Sequence, residues 1–246
     1  MTSEIKSPIS VFVIGDGRMG TIIRELVEAD ERLALAGIVG IDNKDDLIAN
    51  APAADVAIDF SHKDMLPLVE AYIGRTGAAL VSGVTGYTAE EMERVRALGQ
   101  QAPVIHSANY SLGVAVLRRL AAQAAQALEE WDIEITETHH NQKADAPSGT
   151  AKLLLDAVNP DGAYDPLYGR EGMCGKRNPR EIGVHALRGG TVAGTHTVYF
   201  FGGDEQVELT HRATSRRIFA TGSVAAAKKL VQKEVGFYTF DALMFN

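Results

Sequence analysis

The sequence is poor in cysteine, in long apolar runs and in basic residues. Its one cysteine, Cys174, excludes an intramolecular disulfide and a cysteine-ligated metal site, which suits a reducing compartment. No apolar run approaches the roughly 18 residues that a membrane-spanning helix needs. Lys and Arg number 24 against 32 Asp and Glu, and this net charge of −8 argues against nucleic acid as a main partner.

In its other proportions the composition is that of an ordinary globular protein. The hydrophobic fraction of 46% is enough to build a core without disulfides, and a length of 246 residues favours two modest domains. Residues 1–10 are polar and lead directly into a strand pattern, which is not typical of a signal peptide. We therefore expect a cytoplasmic protein that does not associate with membranes.

The first half of the chain alternates between strand and helix patterns. Strands are predicted at 9–14, 33–41, 56–60, 78–82 and 103–106, and helices at 21–28, 65–73 and 89–98. This alternation predicts a doubly wound, Rossmann-like parallel sheet of the α/β class. We expect residues 1–110 to form a dinucleotide-binding domain.

The pattern changes from residue 111 onward. Helices are predicted at 114–129, 151–158 and 223–231, and strands at 132–137, 181–187, 194–201 and 206–213. Polar and apolar residues alternate in the first of these strands, as in a sheet with one wet face. Residues 111–216 are therefore predicted to form a second, α+β domain with an open mixed sheet. Residues 217–246 are expected to pack back on the first domain.

A glycine motif stands between the first strand and the first helix. Gly15, Gly17 and Gly20 have the G-x-G-x-x-G spacing. Gly15 allows the tight turn, Gly17 lets a pyrophosphate approach the backbone, and Gly20 lets the helix lie close to the sheet. The start of the helix then meets the phosphates. Asp16, Arg18 and Met19 complete the predicted cofactor-binding turn.

An acidic residue follows the second predicted strand. Asp42 comes 22 positions after Gly20, where a carboxylate accepts hydrogen bonds from the adenosine ribose. This position favours NADH, but Lys44 and Arg18 are near enough in sequence to accommodate a 2′-phosphate. NADH and NADPH therefore both remain open.

Two further loops follow parallel strands and are predicted to line the cofactor crevice. Small residues there permit close approach to a nicotinamide ring, and Tyr110 is expected to pack against it. The predicted contacts are Gly83, Val84, Thr85, Ser107, Ala108, Asn109 and Tyr110.

The most informative segment is the run over 137–151. His139, His140 and Lys143 precede Ser148-Gly149-Thr150, which opens a helix pattern. Amides at a helix start attract anions, while imidazoles and an ammonium add cationic donors and a group that moves protons near neutral pH. This segment predicts a site that binds carboxylates and protonates what it binds. A locally basic segment over 170–188 fits an anionic substrate, although a solvated loop is the commoner explanation for such a run.

Several motifs together resemble the dihydrodipicolinate reductases, also called 4-hydroxy-tetrahydrodipicolinate reductases, of bacterial and plant lysine biosynthesis. The most specific is Glu137-Thr138-His139-His140 through Lys143-Ala144-Asp145-Ala146-Pro147-Ser148-Gly149-Thr150-Ala151. The others are Gly17-Arg18-Met19-Gly20, Gly83-Val84-Thr85-Gly86, Ala108-Asn109-Tyr110-Ser111, Tyr168-Gly169-Arg170-Glu171-Gly172, Ile182-Gly183, Arg188-Gly189-Gly190, Gly194-Thr195-His196, Glu208-Leu209-Thr210-His211-Arg212-Ala213 and Ser215-Arg216. They follow one another along nearly the whole chain.

The resemblance implies reduction of a cyclic imine dicarboxylate to tetrahydrodipicolinate by NADH or NADPH. It makes His139 the acid/base and Lys143 a second proton donor, while His140 and the helix start at Ser148, Gly149 and Thr150 hold the substrate carboxylates. It also implies that residues 111–216 form the substrate-binding and oligomerisation domain, whose sheet assembles a homotetramer. It suggests in addition that Arg216 helps to position the substrate. One departure is a glycine turn shorter than in many members of the family, which leaves the nucleotide preference open.

Other classes of function remain as alternatives. A nucleotide-binding sensor without catalysis has no need for the His139 and Lys143 set, and a semialdehyde dehydrogenase needs an activated cysteine that Cys174 is poorly placed to supply. A zinc hydrolase built on His139 and His140 is disfavoured, because adjacent strand residues point to opposite faces, so no metal is expected. The remaining histidines are interpreted as structural or as neighbours that support the site residues: His62, His106, His185, His196 and His211.

Overall fold

Two separate sheets organise the chain. The computed structural model describes residues 7–245; residues 1–6 and 246, at the ends of the first predicted domain, lie outside that range. The strands are β1 Ile9–Ile14, β2 Leu33–Val39, β3 Val56–Asp59, β4 Ala79–Ser82, β5 Pro103–His106, β6 Asp132–His139, β7 Asp165–Leu167, β8 Glu181–Arg188, β9 Gly194–Phe201, β10 Gln206–Ala213 and β11 Gly236–Tyr238. The helices are α1 Arg18–Glu28, α2 Asp46–Ala49, α3 Leu66–Thr76, α4 Ala89–Ala97, α5 Leu112–Ala127, α6 Gly149–Val158, α7 Arg217–Leu230 and α8 Phe240–Phe245.

The described residues divide into two compact units. The first runs to Ser111 and resumes at Arg217, so that α7, β11 and α8 belong to it. The second is Leu112–Arg216 and holds everything from α5 to β10. No helix within residues 7–245 is both long enough and apolar enough to cross a membrane.

The first unit is built on a six-stranded sheet in the order β11-β5-β4-β3-β1-β2, in which every pairing is parallel. Every residue of β3 and of β4 is buried, as expected for strands covered on both faces. The predicted Rossmann-like parallel sheet is therefore confirmed.

The second unit contains a five-stranded mixed sheet in the order β10-β9-β6-β8-β7. The central strand β6 runs antiparallel to β9 and parallel to β8. On one face, Ile133 and Ile135 of β6 join Leu117 of α5 and Leu154 of α6 in a single buried cluster. The predicted α+β unit with a mixed sheet is confirmed, and the helices lie on the face of β6 that carries its odd-numbered residues.

The second strand is shorter than predicted. It ends at Val39 rather than at Ile41, because the Gly40 N–H donates to the Asn43 side-chain oxygen at 2.7 Å and turns the chain. Ile41 is consequently 57% exposed, and Asp42 lies in the turn rather than at the end of the strand. Four short elements, α2, β7, β11 and α8, were not predicted because none is long enough to show a periodic pattern.

Candidate active site

The face of β6 that packs into the core also carries the predicted proton donor. Ile133 and Ile135 are buried there, and the two-residue period of a strand places Glu137 and His139 on the same face. The Glu137 side chain is 0% exposed and the His139 side chain 12% exposed. An acidic residue thus continues an apolar row at the point where the strand leaves the core.

Four hydrogen-bond donors surround the Glu137 carboxylate. Arg188 on β8 donates from Nη1 to Oε2 and from Nη2 to Oε1, both at 2.8 Å. The Ser148 N–H donates to Oε1 at 2.9 Å, and His139 Nδ1 lies 2.5 Å from Oε2. Burial opposes ionisation, but the hydrogen bonds from Arg188, His139 and Ser148 outweigh it and hold the pKa of Glu137 below its ordinary value. Glu137 is therefore a carboxylate at neutral pH.

Two residues of β9 enclose the imidazole of His139. The ring of His196 meets it edge to face, with the ring centroids 5.1 Å apart. Gly194 has a φ of +150°, and a Cβ built on it would lie 3.0 Å from His139 Nε2. A glycine at this position keeps the space beside Nε2 open, and Nε2 is the nitrogen that Glu137 does not contact.

Of the two roles left open for His196, the structure favours support of the site residues. It is 4% exposed, and its Nε2 lies 3.0 Å from Ser148 Oγ. Burial first, and then the neighbouring His139, lower the pKa of His196 to about 4. His196 is therefore a neutral ring packed against His139 at pH 7, where it adds no positive charge to the site.

The loop after β6 carries His140 and Lys143. The His140 N–H donates to the Val192 carbonyl at 2.8 Å, and Lys143 Nζ pairs with Asp145 at 2.7 Å. Arg216 Nη2 lies 2.8 Å from His140 Nε2. Partial burial and then the Arg216 cation lower the pKa of His140 below its ordinary value. His140 is thus a neutral hydrogen-bonding group at pH 7 rather than a cationic donor, with Lys143 and Arg216 as cations beside it.

The predicted helix start is present. Ser148 caps α6, with its Oγ accepting from the Ala151 N–H at 3.2 Å, and it is 2% exposed. Its hydroxyl also meets His196, so the structure places the Ser148 side chain beneath the site. Gly149 is exposed and Thr150 half-buried in the first turn of α6, where backbone N–H groups favour an anion. Substrate contact by Ser148, Gly149 and Thr150 stays a prediction.

The basic segment over 170–188 forms ion pairs within the second unit. Arg170 binds Glu134 at 2.8 Å and Glu181 at 2.7 Å, and Arg177 binds Glu134 at 3.3 Å. These pairs give both arginines a structural role within the unit, and a contact of this segment with an anionic substrate stays a prediction. Their charges are already matched by carboxylates on β6 and β8.

The glycine turn of the first unit is shaped for close backbone approach. Gly15 has a φ of +104°, and a Cβ on Gly20 would lie 1.7 Å from the Gly15 carbonyl oxygen. Outside its chain neighbours, no atom of residues 7–245 lies within 4 Å of a Cβ built on Gly17, and no described side chain caps α1 there. An open glycine at an uncapped helix start suits the pyrophosphate of a dinucleotide.

The other residues predicted in this turn lie at the surface. Asp16 and Arg18 are exposed and Met19 is half-buried. A Cβ on Gly40 would meet Asp16 Oδ2 at 2.0 Å, which places the Asp16 carboxylate against the chain just after β2. Asp42 is exposed in the same turn. Both carboxylates are thus in the region where a ribose is expected.

The loops after β4 and β5 hold the second group of predicted cofactor contacts. His106 Nε2 donates to the carbonyl of the buried Val84 at 2.8 Å, and Ser107 Oγ donates to the Asn109 carbonyl at 2.7 Å. These bonds fix both loops at the carboxyl ends of neighbouring strands. The remaining members are exposed or half-buried: Gly83, Thr85 and Ala108.

Tyr110 does not have the predicted role. It is 1% exposed, its hydroxyl donates to the Ser82 carbonyl at 2.7 Å, and its ring packs on Phe240 with centroids 5.3 Å apart. The prediction that this ring packs against the nicotinamide is therefore wrong. A ring that fills the core of the unit has no surface left for a ligand.

The structure adds Glu137, Arg188, Gly194 and His196 to the predicted site. Of these, Glu137 is indicated by the sequence itself, because it is an acidic residue at a position where the alternation of the strand calls for an apolar one. Arg188, Gly194 and His196 come from strands far along the chain, and the sequence showed them only as members of motifs shared with the family, with no role assigned. In the part of the chain that the structure describes, no group of three His, Cys, Asp or Glu side chains is arranged to hold a metal ion.

Both halves of the chain match models of one protein family. The model described as dihydrodipicolinate reductase, N-terminus, matches residues 9–110, and that described as dihydrodipicolinate reductase, C-terminus, matches residues 113–244. The chain belongs to the dihydrodipicolinate reductase family. A family of this kind uses a nicotinamide dinucleotide, which agrees with the open glycine turn.

Relatives of similar length carry the same name. A protein of Staphylococcus aureus strain MSSA476, named 4-hydroxy-tetrahydrodipicolinate reductase, is 41% identical over 244 residues, which cover 96% of this chain and 100% of the relative. One of Exiguobacterium sibiricum with the same name is 43% identical over 191 residues, or 78% of this chain and 77% of the relative. The similarity therefore extends over both units.

A solved structure supports the fold of this dihydrodipicolinate reductase family member. The dipicolinate-bound dihydrodipicolinate reductase from Paenisporosarcina sp. TG-14 superposes with a TM-score of 0.77 at 22% identity, covering 94% of this chain and 97% of the other. At this identity the likeness concerns the fold alone.

Proposed function

We propose that this protein reduces 4-hydroxy-tetrahydrodipicolinate to tetrahydrodipicolinate, a step of diaminopimelate and lysine biosynthesis. Family membership supports the reaction. The observation that carries the proposal is the Glu137–His139 pair, which lies beside the Lys143 loop and the start of α6. This arrangement joins a proton donor to groups that hold anions.

The substrate carries two carboxylates, which must be taken out of water and given new partners. His140, Lys143 and the first turn of α6 at Ser148, Gly149 and Thr150 are the proposed partners. In this structure Lys143 is paired with Asp145, whose side chain is 61% exposed. Because an exposed ion pair contributes little free energy, Lys143 can exchange Asp145 for a substrate carboxylate at a small free-energy cost. A Lys–carboxylate contact at about 4 Å contributes roughly 4 kcal/mol before desolvation at an effective dielectric near 20.

His139 is the proposed proton donor. Its Nδ1 is engaged by Glu137, so Nε2 is the nitrogen that can deliver a proton to the reduced ring. Positioned general acids typically contribute about 10²- to 10⁴-fold to a rate. Lys143 is the proposed second donor, in agreement with its place on the same loop.

The dinucleotide, when bound, supplies the hydride. The residues proposed to hold it are the glycine turn from Gly15 to Gly20, Asp42 and the loops after β4 and β5. Asp42 would accept hydrogen bonds from the adenosine ribose, while Arg18 and Lys44 would accommodate a 2′-phosphate. We propose that NADH and NADPH are both used.

Absorbance of the reduced nicotinamide tests this proposal. The purified protein is mixed with freshly prepared 4-hydroxy-tetrahydrodipicolinate and either cofactor, and KM is compared for the two. Saturable oxidation with both cofactors is expected. Binding of either cofactor without turnover would overturn the proposal in favour of a nucleotide-binding protein without catalysis.

We also propose a homotetramer assembled through the mixed sheet, with no nucleic acid as partner. The support is a group of exposed apolar side chains on the outer face of this sheet, beside the Glu134 ion pairs. Phe201 is 37% exposed and stacks on Tyr199, and Leu187 is 51% exposed on the same face. Light scattering of the purified protein tests the mass, and a monomer at micromolar concentration would contradict it.

A further inference from the structure

The contacts of Glu137 go beyond what a proton donor alone requires. A carboxylate offers two lone-pair positions on each oxygen, and all four are occupied. Oε1 accepts from the Ser148 N–H and Arg188 Nη2, while Oε2 lies against Arg188 Nη1 and His139 Nδ1. Glu137 is completely buried, so no water competes for these positions.

We propose that Glu137 is the positioning residue of His139, which fixes the tautomer with its proton on Nδ1 and thereby directs Nε2 toward the substrate. The inference rests on the proposed function, since it gives His139 the role of proton donor. Glu137 itself does not reach the substrate in this proposal and acts through His139.

The tautomer follows from the chemistry of the pair. An ionised carboxylate accepts hydrogen bonds and cannot donate one, so the nitrogen 2.5 Å from Oε2 must carry a hydrogen. Nδ1 of His139 is therefore a donor in every charge state of the ring. Nε2 is then the nitrogen whose proton is gained and lost during turnover.

The same carboxylate also ties the proton donor to the groups that hold the substrate. The Ser148 N–H that donates to Glu137 lies one residue before α6. Arg188 Nη2, besides its bond to Glu137, donates to the Asp145 carbonyl at 2.7 Å, and Asp145 pairs with Lys143. One buried anion thus sets the spacing between the imidazole, the helix start and the lysine loop.

Glu137→Gln removes the charge while keeping the shape of the side chain. The amide has an NH₂ group where one oxygen was, and that group faces two donors wherever it is placed. At the Oε2 position it forces His139 to accept at Nδ1 and so moves the ring proton to Nε2. At the Oε1 position it opposes the Ser148 N–H and one Arg188 nitrogen, neither of which can accept a hydrogen bond. We therefore expect the Oε2 orientation, because the His139 ring can become an acceptor there by moving its proton.

Glu134→Gln is the matched control. Glu134 lies three residues earlier on β6 with its side chain 14% exposed, and like Glu137 it binds arginine and histidine side chains, here those of Arg170, Arg177 and His185. The period of the strand places it on the opposite face of the sheet from Glu137. Glu134→Gln therefore also removes a carboxylate that binds arginines and a histidine, but this side chain does not contact His139.

Two readouts separate positioning from a structural effect. We expect kcat of Glu137→Gln to fall by about 10²-fold, toward the lower end of what a general acid contributes, with the KM for NAD(P)H unchanged. We expect kcat of Glu134→Gln to stay within about threefold of the wild-type value. In ¹⁵N-histidine-labelled protein, long-range proton–nitrogen spectra should show the His139 proton on Nδ1 in the wild type and in Glu134→Gln, and displaced in Glu137→Gln.

A double variant covers the case in which Glu137→Gln does not fold. Glu137→Gln with Arg188→Met leaves neither charge buried alone, which protein interiors tolerate better than one unpaired charge. The same loss of kcat is expected. Folded protein with kcat within threefold of the wild-type value, or with an unchanged His139 tautomer, would overturn the inference.

The two proposals fail differently. If His139→Ala retains the wild-type kcat, the role of His139 is wrong and the inference falls with it. If His139→Ala is impaired and Glu137→Gln is not, only the inference is wrong.

Discussion

Gly194 provides a test of the site that depends on a single methyl group. In Gly194→Ala the new Cβ would lie 3.0 Å from His139 Nε2 and 3.4 Å from its Cδ2. An ordinary contact is about 3.5 Å, so the imidazole must withdraw by about 0.5 Å. A misplacement of 1 Å at a reacting group costs about 10²-fold in rate, so half of that displacement predicts a loss of about tenfold in kcat.

The backbone contributes separately to the effect of this substitution. Gly194 has a φ of +150°, and an alanine held there costs about 1–3 kcal/mol of folding free energy. Gly169 allows the cost of backbone strain to be measured alone, because it has a similar φ of +148°. Apart from its chain neighbours, no atom of residues 7–245 lies within 4 Å of a Cβ built on Gly169. Gly169→Ala is therefore the matched control for strain without contact with His139.

Both variants are compared by urea unfolding and by steady-state oxidation of NAD(P)H. We expect both to lose stability and only Gly194→Ala to lose kcat, by about tenfold or 1.4 kcal/mol of activation free energy. The KM for NAD(P)H should stay unchanged, since Gly194 belongs to the second unit. Equal kcat losses in both variants, or a Gly194→Ala enzyme within twofold of the wild type, would refute the reasoning.

Three further predictions concern Glu134, Tyr110 and Gly20. Burial opposes ionisation of Glu134, but hydrogen bonds from Arg170, His185 and Arg177 lower its pKa from 4.5 to about 2. Its carboxylate therefore stabilises the fold above pH 4.5, and this contribution to the free energy of unfolding is lost as the pH falls toward 2. The stability difference between the wild type and Glu134→Gln, measured by urea unfolding, should shrink over that range; a difference independent of pH would contradict it. Tyr110→Phe removes the bond to the Ser82 carbonyl and should lower stability by about 0.5–1.5 kcal/mol without changing the KM for NAD(P)H, whereas a raised KM would return the ring to the cofactor site. Gly20→Ala places a Cβ 1.7 Å from the Gly15 carbonyl oxygen and should raise the KM for NAD(P)H at least tenfold, and an unchanged KM would show that this turn does not hold the cofactor.

Much of the fold follows from short-range sequence patterns. The strand predicted at residues 9–14 coincides with β1, because a run of β-branched and aromatic residues ends at a glycine. By contrast, β11 has three residues and becomes a strand through its parallel pairing with β5, more than 100 positions earlier. Periodicity cannot reveal an element whose identity depends on a distant partner.

The same limit applies to the site. His139, His140 and Lys143 are contiguous enough for their chemistry to be predicted from one segment. Glu137 is in that segment too, but its role depends on Arg188, which is 51 positions away and reaches it through the pairing of β6 with β8. Contacts set by strand pairing had to come from the structure.

The turnover of His139→Ala is the sharpest test of the proposed proton transfer. Oxidation of NAD(P)H is followed with freshly prepared substrate, and the KM for NAD(P)H is measured on the same preparation. We expect a kcat lowered by about 10²- to 10⁴-fold with the KM for NAD(P)H unchanged. A kcat within threefold of the wild-type value would contradict it.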